Sequence, residues 1–269
     1  MLVGPAAAAQ TDSETASLGN TSAEFTDYND GSASELWLTI EQAGEVVFDR
    51  PVRPEGCGRG FCGFGGFGRW GPSLRVADLS GTGAPEVALL FYTGGAHCCF
   101  GAQVYRQVPN GRYVLAAERI FGNPPGRIRD LDGDGRPELV TGDNRFAYRF
   151  TAYAFSRWPL RVWSFERGRL VDRTRSHRRH VRADAARLWR EYRRGRGRRS
   201  DMRGVFAGWA GDMCLLGRCK RMKRELNRGV RHGWLSTPAG AFGGFPDPYA
   251  SGRAYAGSLL RFLDRTGYR

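Results

Sequence analysis

One phrase occurs twice in this chain, as R-V-A-D-L-S-G-T-G-A-P-E-V at residues 75–87 and as R-I-R-D-L-D-G-D-G-R-P-E-L at 127–139, offset by 52 residues. In both copies strand-type residues flank a Gly-rich acidic turn, so each reads as a loop between a first and a second strand. The chain is therefore organised around a repeated β-unit, with copies at about residues 73–120 and 125–173.

The second copy gathers hard oxygen ligands: Asp130, Asp132 and Asp134 at alternate positions, then Glu138. Carboxylates about 5 Å apart repel by about 3 kcal/mol per pair at an effective dielectric near 20, so four together favour a cation or protonation. Ca²⁺ takes six to eight oxygens in flexible geometry. The expected ligands are the side chains of Asp130, Asp132, Asp134 and Glu138 with the backbone carbonyl of Arg136. The loop is not an EF-hand, because the twelfth position from Asp130 is Thr141, where that motif places a bidentate Glu. In the first copy Asp78 and Glu86 remain, but Ser80 and Thr82 replace the middle aspartates, which makes it a structural turn closed by hydroxyl bonds.

Both copies resemble the calcium loops of the FG-GAP and VCBS repeats found in integrin alpha-subunit propellers and many bacterial secreted proteins. T-G-G-A-H-C-C (Thr93 to Cys99) and N-R-F-A-Y (Asn144 to Tyr148) resemble a group of uncharacterised secreted actinobacterial proteins carrying such loops. The resemblance covers roughly residues 70–180 and implies an extracytoplasmic, calcium-stabilised protein, but no reaction. A propeller needs about four to eight blades. Two marked copies instead predict two blade-like meanders forming one open or sandwiched antiparallel sheet, not a closed propeller.

Compartment signals agree with export. M-L-V-G-P-A-A-A-A-Q resembles the tail of a secretory signal with an A-x-A-type cleavage site near Ala7 to Gln10, which predicts a true start upstream of Met1 or a trimmed leader. No apolar run approaches the length of a membrane span. The six cysteines fall in close pairs: Cys57 with Cys62, Cys98 with Cys99, and Cys214 with Cys219. Gly217 suits a helix C′ position and the turn it allows would join Cys214 to Cys219; Cys98 and Cys99 either bridge each other or pair outward with Cys57 and Cys62.

Along the chain, residues 11–21 read as flexible, and strands are expected near 23–28, 36–41 and 45–52, with a turn at Ala43-Gly44. The Gly- and aromatic-rich stretch 57–72 holds no regular element, and without a G-K-[ST] ending it does not read as a phosphate cradle. Further strands are expected across 74–173, including one over 146–154 and a turn at Arg167-Gly168. After Arg175 the period becomes helical. Val181, Ala185, Leu188, Trp189 and Tyr192 share one face; Ser200 would cap a second helix in which Gly204 and Gly208 permit close packing; Met222, Leu226 and Val230 mark a third; Ser251 would cap a last helix facing inward with Tyr255, Leu259, Phe262 and Leu263 and ending at Gly267. The expected class is α+β: a flexible N-terminus to residue 21, a β-rich region over 22–175 and a helical region over 176–269.

Other chemistry is thinly marked. His97 beside Cys98 and Cys99 matches no common zinc spacing, and no hydrolase motif is present. The net charge of +14 is almost entirely arginine. The stretch from Arg173 to Arg203 reads as a solvated helix face, with Arg193 to Arg199 a loop able to grip anions. The composite expectation is a secreted, disulfide-stapled, Ca²⁺-binding surface or binding protein, not an enzyme. The alternatives are a secreted hydrolase with an unmarked site, or a binder of anionic cell-envelope polymers rather than nucleic acid.

Overall fold

A computed structural model of the 269-residue chain describes residues 10–29, 34–58, 62–66, 71–95, 98–198, 200–237 and 247–269. The signal-like start, His97 and Arg199 lie outside the described residues, as do parts of the Gly-rich stretch and of the connector after Thr237. The fold is α+β, and the chain forms two compact units that interleave along the sequence. The first comprises residues 1–141 and 162–172; the second comprises 142–161 and 173–269.

The first unit is built of antiparallel meanders, because nearly every strand pairs with its neighbour in sequence through a short hairpin. Strands β1 (Gln10–Leu18), β2 (Thr21–Asn29), β3 (Ser34–Gln42) and β4 (Glu45–Val52) form the first sheet in that order. Ala43 and Gly44 turn β3 into β4 with positive φ at both positions (52° and 83°), the signature of a type I′ turn. The second sheet holds β6 (Leu74–Ala77), β7 (Glu86–Tyr92), β8 (Phe100–Gln107) and β9 (Tyr113–Gly122), with the two-residue β5 (Gly63–Phe64) extending β6 along the same edge of β7. The third runs β10 (Arg127–Arg129), β11 (Glu138–Gly142), β12 (Leu160–Glu166) and β13 (Arg169–Asp172), with a second type I′ turn at Arg167 and Gly168. The two marked repeats, expected to share one open or sandwiched sheet, form the second and third sheets; among the described residues no strand of one meander pairs with a strand of the next.

β7 explains how the sheets stack. Its sequence, E-V-A-L-L-F-Y, has no polar alternation, and such a strand is buried on both faces. Val87, Leu89 and Phe91 join Phe25, Leu36, Leu38 and Ile40 of the first sheet; Ala88 and Leu90 join Leu139 and Phe165 of the third. The second sheet is therefore the middle layer of the unit.

Two expectations for this unit are corrected. Residues 10–18 are not flexible but an edge strand, in register with β2 from Gln10↔Asn29 to Leu18↔Thr21. Its side chains are mostly exposed, so it carries no apolar alternation, and backbone pairing holds it. In the Gly-rich stretch, β5 forms because Gly65 lets the backbone lie against β7: a Cβ there would sit 2.5 Å from the Phe91 nitrogen.

The second unit has its own core, centred on α2 (Arg203–Leu215) and flanked by α1 (Arg178–Gly195), α3 (Cys219–Arg231) and α4 (Gly252–Arg265). α1 buries Val181, Ala185, Leu188 and Tyr192, and α4 buries Tyr255, Leu259, Phe262 and Leu263, as their periodicity predicts. α2 is buried all round. Its glycines let the segment before β12 lie directly on it: a Cβ at Gly204 would sit 2.3 Å from the Phe155 carbonyl, and one at Gly211 2.7 Å from Pro159 Cγ. The strand expected over 146–154 is absent. Residues Asn144–Phe146 and Tyr153–Phe155 form 3₁₀ turns, and positive φ at Tyr148 (55°) breaks the extended run, so Phe146 and Phe150 both enter the helical core.

Helix ends follow capping chemistry. At Gly217 the Arg218 N–H reaches the Met213 carbonyl at 2.7 Å and the Gly217 N–H reaches Cys214 at 2.9 Å; Gly267 repeats the motif at the end of α4. The expected cap Ser200 is displaced: Met202 occupies the cap position of α2, and the Asp201 carboxylate accepts the Arg203 N–H at 3.0 Å. Ser251 occupies the cap position of α4 without a side-chain bond.

Asp212 sits fully buried on α2. One oxygen accepts the Leu160 N–H at 3.1 Å; the other meets no donor, and the neighbouring carboxyl is Asp184. Burial first, then the Asp184 charge and the bond between the two groups, push the Asp212 carboxyl well above the usual range. As pH rises past the ordinary carboxylate range, the unfolded chain loses this proton while the folded chain keeps it, so stability falls until the folded group ionises too. Asp212→Asn keeps an acceptor for Leu160 and has no such proton. It is expected to raise the melting temperature near about pH 7 and to leave it unchanged near about pH 4; a loss of stability at both would contradict the buried-acid reading.

Candidate calcium-type loop and its twin

The two acidic phrases form hairpins of identical register: Ala77 pairs with Glu86 and Val76 with Val87 in one, Arg129 with Glu138 and Ile128 with Leu139 in the other. The turns are tied by the same two carboxylates. Asp130 accepts the Gly133 N–H at 2.7 Å and the Gly135 N–H at 3.0 Å, while buried Glu138 accepts the Leu131 N–H at 3.0 Å. In the first copy Asp78 accepts the Thr82 and Gly83 N–H groups, both at 2.9 Å, and Glu86 accepts those of Leu79 and Ser80 at 2.8 and 3.1 Å. The first and last acidic residues of each phrase are therefore what folds the loop, with or without a ligand.

The middle positions set the copies apart. Asp130, Asp132 and Asp134 bring carboxylate oxygens within 4.8 Å of one another, and Asp132 stands equally close to Glu138. In the twin, the Ser80 and Thr82 hydroxyls meet at 2.9 Å and satisfy each other. Burial raises the Glu86 carboxyl, with its Ser80 and Leu79 hydrogen bonds opposing. One loop thus presents a cluster of anionic oxygens where the other presents a closed neutral pair.

Arg136 lies against the cluster. Its backbone N–H and guanidinium both bind Asp134, the ion pair at 2.6 Å, and hold that carboxyl below the usual range. Its stem covers Gly81 of the twin, where a Cβ would sit 2.5 Å from Arg136 Cδ, so the two loops are neighbours. The Arg136–Asp134 pair is exposed, so solvent screens it. The donor set fits a hard cation: carboxylate oxygens, no sulfur, and exposed Asp132 and Asp134 reachable from solvent.

Disulfides join Cys57 to Cys62, Cys98 to Cys99 and Cys214 to Cys219, leaving no free cysteine. Cys214 joins Cys219 as the turn at Gly217 predicts, and of the two alternatives open to Cys98 and Cys99 the structure takes the direct bridge. No helix among the described residues is long and apolar enough to cross a membrane.

Elsewhere, a groove of about 480 Å³ in the first unit is lined by Phe48, Tyr105, Tyr113 and three arginines, without a carboxylate or a histidine. The strongly shifted carboxyls lie in the second unit's interior. Burial alone would raise Asp143, but bonds from Arg145, Arg161 and Tyr268 hold it far below the usual range. Neither it nor Asp212 lines that groove. Sequence reading missed a further polar cluster. Fully buried Arg203 is gripped by Asp201 at 2.7 Å and Asp247 at 2.6 Å, and an arginine-rich stretch hides which arginine turns inward.

No family model matches the chain, and no solved structure matches it. Over 102 residues it is 38% identical to a probable thylakoid lumen protein of Synechocystis, a match covering 37% of this chain and 30% of the relative. Over 158 residues it is 28% identical to an uncharacterized protein of Sinorhizobium fredii, covering 58% of this chain and 24% of that protein. The chain thus aligns with less than a third of the length of either curated relative.

Proposed function

We propose that the chain is an extracytoplasmic, disulfide-stapled binding or surface protein in which Ca²⁺ serves a structural role at the 130–138 loop. The observation that carries this reading is the contrast between the twin hairpins: the same register, closed by carboxylates at the same two positions, but a three-carboxylate cluster described in the second. Asp130, Asp132, Asp134 and Glu138 would hold the ion, and it would neutralise a turn whose charges otherwise repel. The Arg136 carbonyl would complete the set. The resemblance to FG-GAP and VCBS calcium loops supports the reading. So do three disulfides, which persist in oxidising compartments, and the name of the Synechocystis relative, which assigns that protein to the thylakoid lumen.

The twin supplies the test. Equilibrium dialysis at about millimolar calcium should give one bound ion per chain, none for Asp132→Ala, and two for the double variant Ser80→Asp, Thr82→Asp. A double variant that stays at one ion while wild type binds would show that the middle carboxylates are not what selects the metal.

A further inference from the structure

The positive charge of this protein belongs to one unit. Of its 41 Lys and Arg, 28 lie in the second unit, against 8 of its 27 Asp and Glu, so that unit carries +20 and the first carries −6. The excess is densest on α3, +5 over 13 residues, against +5 over the 18 residues of α1. α1 carries seven exposed arginines and two acids, and the acids hold one side of it: Arg187 pairs with Asp184 at 2.8 Å and approaches Glu191 at 3.8 Å, while Arg157 holds Glu191 at 2.9 Å. On α3 Lys220, Arg221, Lys223, Arg224, Arg228 and Arg231 are all exposed, and at 100° per residue they span an arc of about 160° interrupted only by Asn227. Among these, Arg228 alone meets a carboxylate among the described residues, Glu225 at 3.8 Å.

We propose that the exposed face of α3 binds a linear, phosphate-bearing polyanion by its charge. Six unpaired or weakly paired cations over a helix run of about 16 Å repel one another, and a polymer of closely spaced anions relieves that repulsion while releasing its own counterions. The shape of the face favours a flexible chain over a membrane surface, because a plane reaches only part of a 160° arc, whereas a chain follows it. The apolar side of α3 cannot assist insertion into a bilayer, since Met222 and Leu226 are consumed by the core. The arc also offers no aromatic platform for bases. Trp234, just past the helix end, already stacks on His232 at 4.6 Å with Arg196 over its ring at 4.2 Å. This inference is independent of the calcium loop.

The test is binding of the full oxidised chain to inorganic polyphosphate in calcium-free buffer, beside phosphatidylglycerol vesicles and a mixed-sequence single-stranded oligonucleotide of matched charge. Engaging four to six phosphates gives a log–log salt slope of about −3 to −4, a fall in affinity of roughly 60- to 250-fold between about 50 and 200 mM salt. The variant Lys220→Glu, Arg224→Glu, Arg231→Glu should weaken polyphosphate binding at least about tenfold, with circular dichroism unchanged because all three side chains are exposed. The variant Arg182→Glu, Arg190→Glu, Arg193→Glu on α1 should weaken it by less. The proposal is overturned if the α1 variant causes the larger loss, if affinity is insensitive to salt, or if vesicles or the oligonucleotide bind more tightly than polyphosphate at equal charge.

Discussion

Arg203→Met is expected to destabilise the helical unit by about 3–5 kcal/mol, the usual cost of removing one partner from a buried ion cluster. Arg203 is fully buried, and its guanidinium binds Asp201 through Nε and Nη2 at 2.9 and 2.7 Å and Asp247 through Nη1 at 2.6 Å. The same nitrogen also donates to the Tyr249 and Ala250 carbonyls, and the Arg203 carbonyl accepts the Tyr255 hydroxyl at 2.7 Å. One side chain thus ties the start of α2 to the chain entering α4. Methionine fills much of the volume but leaves the buried Asp201 carboxylate without its cation. Hydrogen exchange should show the loss confined to α2 and α4, with β7 amides unaffected. A cost below about 1 kcal/mol would mean that the cluster does not hold the unit together.

Calcium is expected to stabilise the first unit by about 1.4–2.7 kcal/mol at about 10 mM, the gain for a site with a dissociation constant of about 10⁻⁴ to 10⁻³ M, as is usual for extracellular modules. Two variants separate the metal from the turn. Asp132 closes none of the loop's backbone bonds described above, so Asp132→Ala should abolish the gain from calcium and change little in a chelator. Asp130 accepts two loop N–H groups, so Asp130→Ala should also cost stability in the chelator. Melting curves that shift equally for both variants in both conditions would contradict this division of labour.

Much of this architecture is legible in the residues. The acidic hairpins, the turns at Ala43-Gly44 and Arg167-Gly168, and the buried faces of α1 and α4 follow from local periodicity and from where a chain tolerates positive φ. What local pattern hides is tertiary. β1 is polar because its faces meet solvent, so only its pairing with β2 reveals it. Phe146 and Phe150 alternate as a strand would, yet a turn at Tyr148 delivers both to the helical core. The unbroken apolar run of β7 carried a signal for a central layer, since a strand without polar alternation needs cover on both faces. At the candidate site, residue types and spacing identified the carboxylates. They could not show that Asp130 and Glu138 fold the loop, that Arg136 pairs with Asp134, or that the twin loop lies alongside.

The central claim, that the 130–138 loop takes up Ca²⁺, is tested most directly by calorimetric titration of Ca²⁺ into the chelator-treated, oxidised chain, with Asp132→Ala beside it. The expected result is saturable binding with a dissociation constant of about 10⁻⁴ to 10⁻³ M that disappears in the variant. No binding at millimolar calcium, or the same isotherm from both proteins, would contradict it and leave the loop a hydrogen-bonded turn like its twin.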